Sequence, residues 1–266
     1  MNKVDSAMTE LREMDELAAR SSPIHSLHPL AKLLTTILYI ACTVSFQKYD
    51  LSGLAVMVLY PVLMFSLSGV SVRTCFYKLR IVLPLVCAVG LLNPFFDRAP
   101  LMQLGPLFVS GGVVSMLTLM LKGIFCLMAS FLLAATTSID AICAALRMLH
   151  IPNLIVTLLL LTFRYISVMM DEVSVMSQAY HLRAPGQKGI HFSAWGSFLG
   201  QLLLRSMDRA EELYSSMLLR GFCGEFTYAD VKKAAAADYL FFIVCALVFL
   251  VFRFLNVAQL LGSLIV

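Results

Sequence analysis

Apolar residues gather along the chain in five long runs, Leu30 to Phe46, Leu51 to Ser68, Ile81 to Phe96, Leu107 to Ala135, and Tyr239 to about Val266. Crossing the ~30 Å hydrocarbon core takes about 20 apolar residues in a helix, so these runs predict five membrane-spanning helices, the first and third being the shortest. Between the fourth and fifth runs, from Thr136 to Lys233, continuous apolarity gives way to a three-and-four periodicity. That pattern belongs to helices with one apolar and one polar face.

Three such helices can be marked. The first opens at TTSID, where Thr137 and Asp140 have the spacing of a capping box, and ends before Pro152, with Ile142, Leu146 and Leu149 on its apolar side. The second starts at Pro152, a residue suited to the first helical turn, and runs to about Arg183. Its apolar run from Leu154 to Phe163 is ten residues, or ~15 Å, too short to cross a bilayer alone. Beyond it, Arg164, Ser167, Asp171, Ser174, Gln178 and His181 form a polar stripe. The third helix, Ser193 to Arg220, carries Trp195, Leu199, Leu203 and Tyr214 on one face and Gln201, Arg205, Asp208 and Glu212 on the other. Helices of about 30 residues reach ~45 Å, and each of the last two ends at an arginine followed by helix-stopping residues.

The expected class is an all-α membrane protein with about five transmembrane helices and a cytoplasmic or interfacial region of three amphipathic helices. Its segments are 1–29 at the N-terminus, 30–135 with four spans, 136–233 with amphipathic helices at about 138–149, 152–183 and 193–220, and 234–266 with the last span. Composition agrees: 60% of the 266 residues are hydrophobic, 14% are charged, and the mean hydropathy is +0.86. The first two dozen residues carry Asp5, Glu10, Glu13, Asp15 and Glu16 and no apolar core, so no cleaved signal peptide is expected.

Lysine and arginine accumulate on the cytoplasmic side of short loops. With the N-terminus inside, 16 of the 20 basic residues fall on the inner side, Lys48 and Arg98 fall outside, and Lys122 and Arg253 lie within apolar stretches. The net charge of +4 therefore reflects topology, and nucleic acid is not an expected partner. The seven cysteines are scattered without a C-x-x-C pair and read as small buried hydrophobes.

Candidate chemistry is sparse. His25 and His28 have no carboxylate or cysteine beside them at ligand spacing, so no metal site is expected. Lys122 is costly in an apolar run; either it has a function there, or a helix tilted or broken at Gly123 lets its amine reach water or a carboxylate. Arg164 with Asp171 or Glu172 suggests a polar contact between amphipathic helices. No catalytic residues are expected, because H-E-x-x-H and G-x-S-x-G are both absent. The phosphate-loop pattern G-x-x-x-x-G-K-[ST] is absent too, so any ATP must be used by a partner. A self-sufficient secondary transporter would show two related halves, whereas the spans here are concentrated before Ala135.

The ordered set HPLAKLL (His28 to Leu34), TTS (Thr136 to Ser138), FRYISVMMDE (Phe163 to Glu172), and the helix ends at Arg183 and Arg220, the latter in LLRGF, resembles the transmembrane T component of energy-coupling factor transporters. The closer likeness is to its cobalt branch, CbiQ, and it takes in most of the chain, roughly Ser26 to Arg253. The resemblance implies two coupling helices whose Ala-Arg-Gly-like ends dock in grooves of two ABC-type ATPase subunits, where each arginine meets acidic side chains. Carried over, the coupling residues are Arg183 with Leu182 and Ala184, and Arg220 with Leu219 and Gly221. Leucine in place of alanine before both arginines, and Ala184 in place of glycine, depart from the pattern, so the second motif matches better. The resemblance further implies a separate substrate-binding membrane subunit of the CbiM kind, ATP and Mg²⁺ held by the ATPases and no cofactor on this chain. It also implies a place in the prokaryotic cytoplasmic membrane, with cobalt as substrate and nickel or a vitamin as alternatives.

Overall fold

The computed structural model describes residues 3–80, 82–96, 100–104, 107–187, 189–224 and 235–254. The described chain is helical apart from one short hairpin, and it divides into two compact units. One unit comprises Met1–Glu16 and Ile139–Val231, the other Leu17–Ser138 and Lys232–Val266. The later part of the fifth apolar run, from residue 255 onward, lies outside the described residues.

The second unit holds most of the apolar runs. After α1 (Lys3–Ala18) comes α2 (Pro29–Ser45), then α3 (Leu51–Val56), α4 (Leu59–Ser68), α5 (Val72–Leu79), α6 (Leu83–Phe96), α7 (Gly111–Thr136) and, at the far end of the chain, α11 (Ala236–Phe254). Local residues set the starts and stops. His28 accepts the Leu30 N–H at the head of α2, with Pro29 in the first turn. Asp50 and Ser71 do the same for α3 and α5, and Gly69, at φ 68°, closes α4 in the left-handed region.

α2 packs on α7 and α11, and α6 packs on α7. The core centres on Tyr39, Leu54, Met57, Phe125, Ala129 and Phe249. Tyr39 donates its hydroxyl to the Met57 carbonyl at 3.0 Å and meets the Tyr60 and Phe249 rings at 4.5 and 5.3 Å. Hydroxyls in the apolar helices turn back to their own backbone: Thr35, Thr36, Thr43, Thr118 and Thr136 each donate to the carbonyl four residues earlier. In hydrocarbon, where water is absent, this satisfies the hydroxyl without a partner helix. Between α6 and α7 the backbones approach closely at glycine. A Cβ on Gly90 would stand 2.8 Å from Met120 Cγ, and one on Gly123 would collide with Val86.

Three expectations need correction. The fourth run does not begin as a helix: Leu107–Ser110 forms β2, antiparallel to β1 (Pro100–Leu104), and α7 starts at Gly111. Phe108 and Val109 favour extended chain, and the Gly111–Gly112 pair marks the switch. The helix is not broken at Gly123; α7 is continuous through it, and the glycine serves the approach of α6. Thr137 does not cap the next helix, whose first residue is Ile139, and its hydroxyl is buried without a partner.

Among the described residues, four helical stretches are long and apolar enough to cross a membrane, or five if α5 and α6 count as one broken span. The four are Leu51–Ser68, Gly111–Thr136, Asn153–Arg183 and Ala236–Phe254. Asn153–Arg183 was expected to be too short in its apolar part. Ile166, Val168, Met169 and Met170 carry apolarity past Arg164, so by length and composition that helix qualifies. α2, at 17 residues, falls just short.

The first unit contains α8 (Ile139–Met148), α9 (Asn153–Arg183) and α10 (Phe192–Leu219). α8 and α10 both pack on α9. Cys143 is buried on α8; burial, with a smaller push from Asp140, raises its thiol above the ordinary value, so it stays neutral.

Candidate functional site

α9 and α10 end in different ways but present the same pair of residues. At the foot of α10 the Phe222 N–H donates to the Met217 carbonyl and the Gly221 N–H to the Leu218 carbonyl, both at 3.0 Å. This is a Schellman closure with Gly221 at φ 81°. α9 stops at Ala184, whose N–H donates to the Tyr180 carbonyl at 3.0 Å, before Pro185 and Gly186. The Tyr180 hydroxyl then holds the connection to α10, donating to Gln187 Oε1 at 2.9 Å and accepting the His191 N–H at 3.2 Å.

Arg183 and Arg220 are both exposed, and neither side chain has a partner among the described residues. The leucine before each is more exposed still, Leu182 at 83% and Leu219 at 91%. Gly221 is exposed and Ala184 half-buried. An isolated leucine on a surface is ordinary. A Leu-Arg pair standing free at the end of each of two 31- and 28-residue helices offers a partner an apolar contact beside a two-pronged hydrogen-bond donor.

Glu172 on α9 forms an ion pair with Arg205 on α10. Arg164 and Asp171 are exposed with no side-chain partner among the described residues, so of the residues that suggested an inter-helix contact only Glu172 makes one. Its partner Arg205 was visible only as part of the polar face of α10. A groove of about 580 Å³ lies between the same two helices, lined by Leu158, Leu161 and Tyr165 of α9 and Ala210, Leu213 and Tyr214 of α10.

In the second unit, Lys122 is half-buried and its amine turns to backbone. Its amine donates to the carbonyls of Val44, at 3.1 Å, and Phe46, at the end of α2. Arg253 of α11 donates to the Ser45 carbonyl at 2.9 Å and lies over the Phe46 ring. Two cations thus occupy the C-terminus of α2, where carbonyls are unpaired and the helix dipole is negative. The head of α2 has the opposite arrangement. Asp238 accepts the His28 N–H at 2.9 Å and the Ala235 N–H at 2.8 Å, placing a carboxylate at the N-termini of α2 and α11. Lys32, 4% exposed, donates to the Thr136 carbonyl at 2.7 Å at the end of α7. Asp238 is the partner that sequence reading missed. It was legible only as an acid ahead of an apolar run, 210 residues from His28.

Among the described residues no group of three or more His, Cys, Asp or Glu is placed to hold a metal ion. His25 is engaged elsewhere, through Ser22 Oγ at 2.7 Å on Nδ1 and the carbonyls of Leu17 and Ala135, at 3.1 and 3.3 Å, on Nε2.

These features define a multi-pass helical membrane protein with a pair of long amphipathic helices ending in arginines that have no side-chain partner among the described residues. A family model described as cobalt transport protein, CbiQ, matches residues 20–229, and the chain belongs to that family. It is 28% identical to the nickel permease LarQ of Lactiplantibacillus plantarum, over 45% of this chain and 44% of the relative. An uncharacterized protein of Methanocaldococcus jannaschii is 25% identical, over 53% of this chain and 50% of the relative. The cobalt transport protein CbiQ of Rhodobacter capsulatus is 26% identical, over 68% and 74%. The chain spans about half the length of the first two relatives.

Proposed function

We propose that this chain is the transmembrane coupling subunit of an energy-coupling factor importer. Its partners are two ABC-type ATPase subunits, which bind ATP and Mg²⁺, and a substrate-binding membrane subunit of the CbiM kind. The carrying observation is the matched pair of exposed Leu-Arg ends on α9 and α10, with no side-chain partner for either arginine among the described residues. Arg183 and Arg220 each enter a groove on one ATPase and meet carboxylates there, with Leu182 and Leu219 packing beside them. In this reading residues 136–233 lie at the cytoplasmic face of a prokaryotic inner membrane, the N-terminus is cytoplasmic, and α9 lies along the interface with its polar stripe toward water. ATP-driven closure of the ATPase pair moves the two helix ends, and the helices pass a rigid-body displacement to the substrate subunit.

Cobalt is the substrate favoured by the family and by the Rhodobacter capsulatus relative. Nickel is favoured by the name of the Lactiplantibacillus plantarum relative, and a vitamin is the further alternative. The decisive experiment is charge reversal at both ends, Arg183→Glu with Arg220→Glu, in a chain co-expressed with the ATPases and the substrate subunit. Loss of ATPase co-purification is expected, with loss of ATP-dependent cobalt uptake. ATPases recovered with the double variant at wild-type yield would show that docking lies elsewhere.

A further inference from the structure

The two arginine ends, both in the first unit, are held by different means. At Arg220 the backbone does the holding. Gly221, at φ 81°, turns the chain back, and the Gly221 and Phe222 N–H groups close on the Leu218 and Met217 carbonyls. At Arg183 the backbone does not turn back in this way: Ala184 stands at φ −126° and ψ 67°, outside the left-handed region, and Pro185 follows. The connection that begins there fills the interval between Arg183 at the end of α9 and Phe192 at the start of α10. It carries Gly186 at φ 93° and Gly189 at φ 83°. Glycine loses more conformational freedom on ordering than any other residue, so such a connection stays in one shape only if something outside it holds it.

A side chain does this. Tyr180, in the last turn of α9, donates its hydroxyl to Gln187 Oε1 at 2.9 Å and accepts the His191 N–H at 3.2 Å. His191 is in turn the cap of α10, its Nδ1 accepting the Ser193 N–H at 3.4 Å and lying 2.9 Å from Ser193 Oγ. One phenol therefore ties the last turn of α9 to the first turn of α10. Residues three and four apart are neighbours on a helix surface, so Tyr180 stands beside Arg183 and Ala184. We infer that Tyr180 is the positioning residue of the Arg183 end, supplying through its side chain what Gly221 supplies through the backbone at Arg220. The inference rests on the coupling role proposed above, and it answers the departure of the first motif from the Ala-Arg-Gly pattern, where Ala184 replaces the glycine. Stability alone gives little reason for the arrangement, since both hydrogen bonds are exposed and bonds open to water add little to a fold. Their effect is to hold the helix end and the connection beside it in one arrangement before a partner arrives, which lowers the ordering cost of docking. Tyr180 touches no ATPase in this scheme; it acts through the segment that it holds next to Arg183.

The test titrates the full chain, held in nanodiscs with its substrate subunit, with the purified ATPase pair. Tyr180→Phe keeps the ring and removes only the hydroxyl, and it is expected to weaken ATPase binding about fivefold. A double-mutant cycle then asks which end the loss belongs to. Combined with Arg183→Ala, most of the fivefold loss should vanish, because the side chain being positioned is gone. Combined with Arg220→Ala, it should persist in full. A general loosening of the fold would weaken both backgrounds equally, and that result overturns the inference, as does unchanged affinity for Tyr180→Phe alone. Hydrogen exchange on the chain without ATPases gives a reading that needs no docking. The His191 amide is expected to exchange faster in Tyr180→Phe, with the Gly221 and Phe222 amides unchanged, and unaltered protection at His191 overturns the tie itself. If Arg183→Ala and Arg220→Ala both leave affinity unchanged, the docking role and the positioning role fall together. If both weaken it while Tyr180→Phe does not, the positioning role falls alone.

Discussion

The two units treat their charges in opposite ways. In the second, Lys32 and Asp238 are buried and each has backbone partners, and Lys122 and Arg253 spend their donors on the carbonyls at the end of α2. In the first, Arg183 and Arg220 stand at the tips of long helices facing outward, with leucines exposed beside them. Desolvated charge is retained only where hydrogen bonds satisfy it, so the inward set holds helices in place. The outward set has no side-chain partner among the described residues, so its share in holding the fold is limited to the helix ends where it stands. Position in the sequence does not separate the two kinds of cation; the partners of each side chain do.

Removing an inward charge should be the most damaging change. Asp238→Ala strips the acceptor from two backbone N–H groups at helix N-termini, those of His28 and Ala235, and each donor left unsatisfied away from water costs about 1–3 kcal/mol. The expected result is a large fall in melting temperature in detergent. Next comes packing between the inward helices. Gly123→Val places branched carbons against Val86 of α6, and overpacking of this kind costs about 1–3 kcal/mol, read by the same melting curve. Smaller again is the Glu172–Arg205 pair, which is partly solvated. A double-mutant cycle with Glu172→Ala and Arg205→Ala should return a coupling of about 0.2–1 kcal/mol. Smallest is the effect on stability of Arg183→Ala combined with Arg220→Ala, within about 0.5 kcal/mol of the parent. A melting-temperature loss in that double variant as deep as that of Asp238→Ala would erase the distinction between the units.

Much of the architecture could be read from periodicity, because each element declares itself within its own residues. The apolar runs place α2, α4, α6, α7 and α11, and the change of period after Ala135 announces α8, α9 and α10. Local signals also mark Gly221 and Pro185 as stops. What failed to show was anything that depends on a remote neighbour. Lys122 looked like a charge in need of a function because the carbonyls it caps lie 76 and 78 residues away. Glu172 suggested a contact, yet nothing in its surroundings singles out Arg205 on another helix. The hairpin at β1 and β2 was hidden because a run such as Leu107 to Ser110 reads equally as strand or helix until its partner is known. Arg183 and Arg220 could be placed at helix ends beforehand because the residues that stop each helix lie next to them in the sequence.

The clamps at the two ends of α2 have a consequence for the lipid around it. Seventeen residues rise about 25 Å, less than the ~30 Å of hydrocarbon in an ordinary bilayer, and a helix pinned by polar groups top and bottom cannot lengthen or slide to make up the difference. Where α2 crosses a bilayer, that difference of a few ångströms falls to the surrounding lipid and to the side chains flanking the helix.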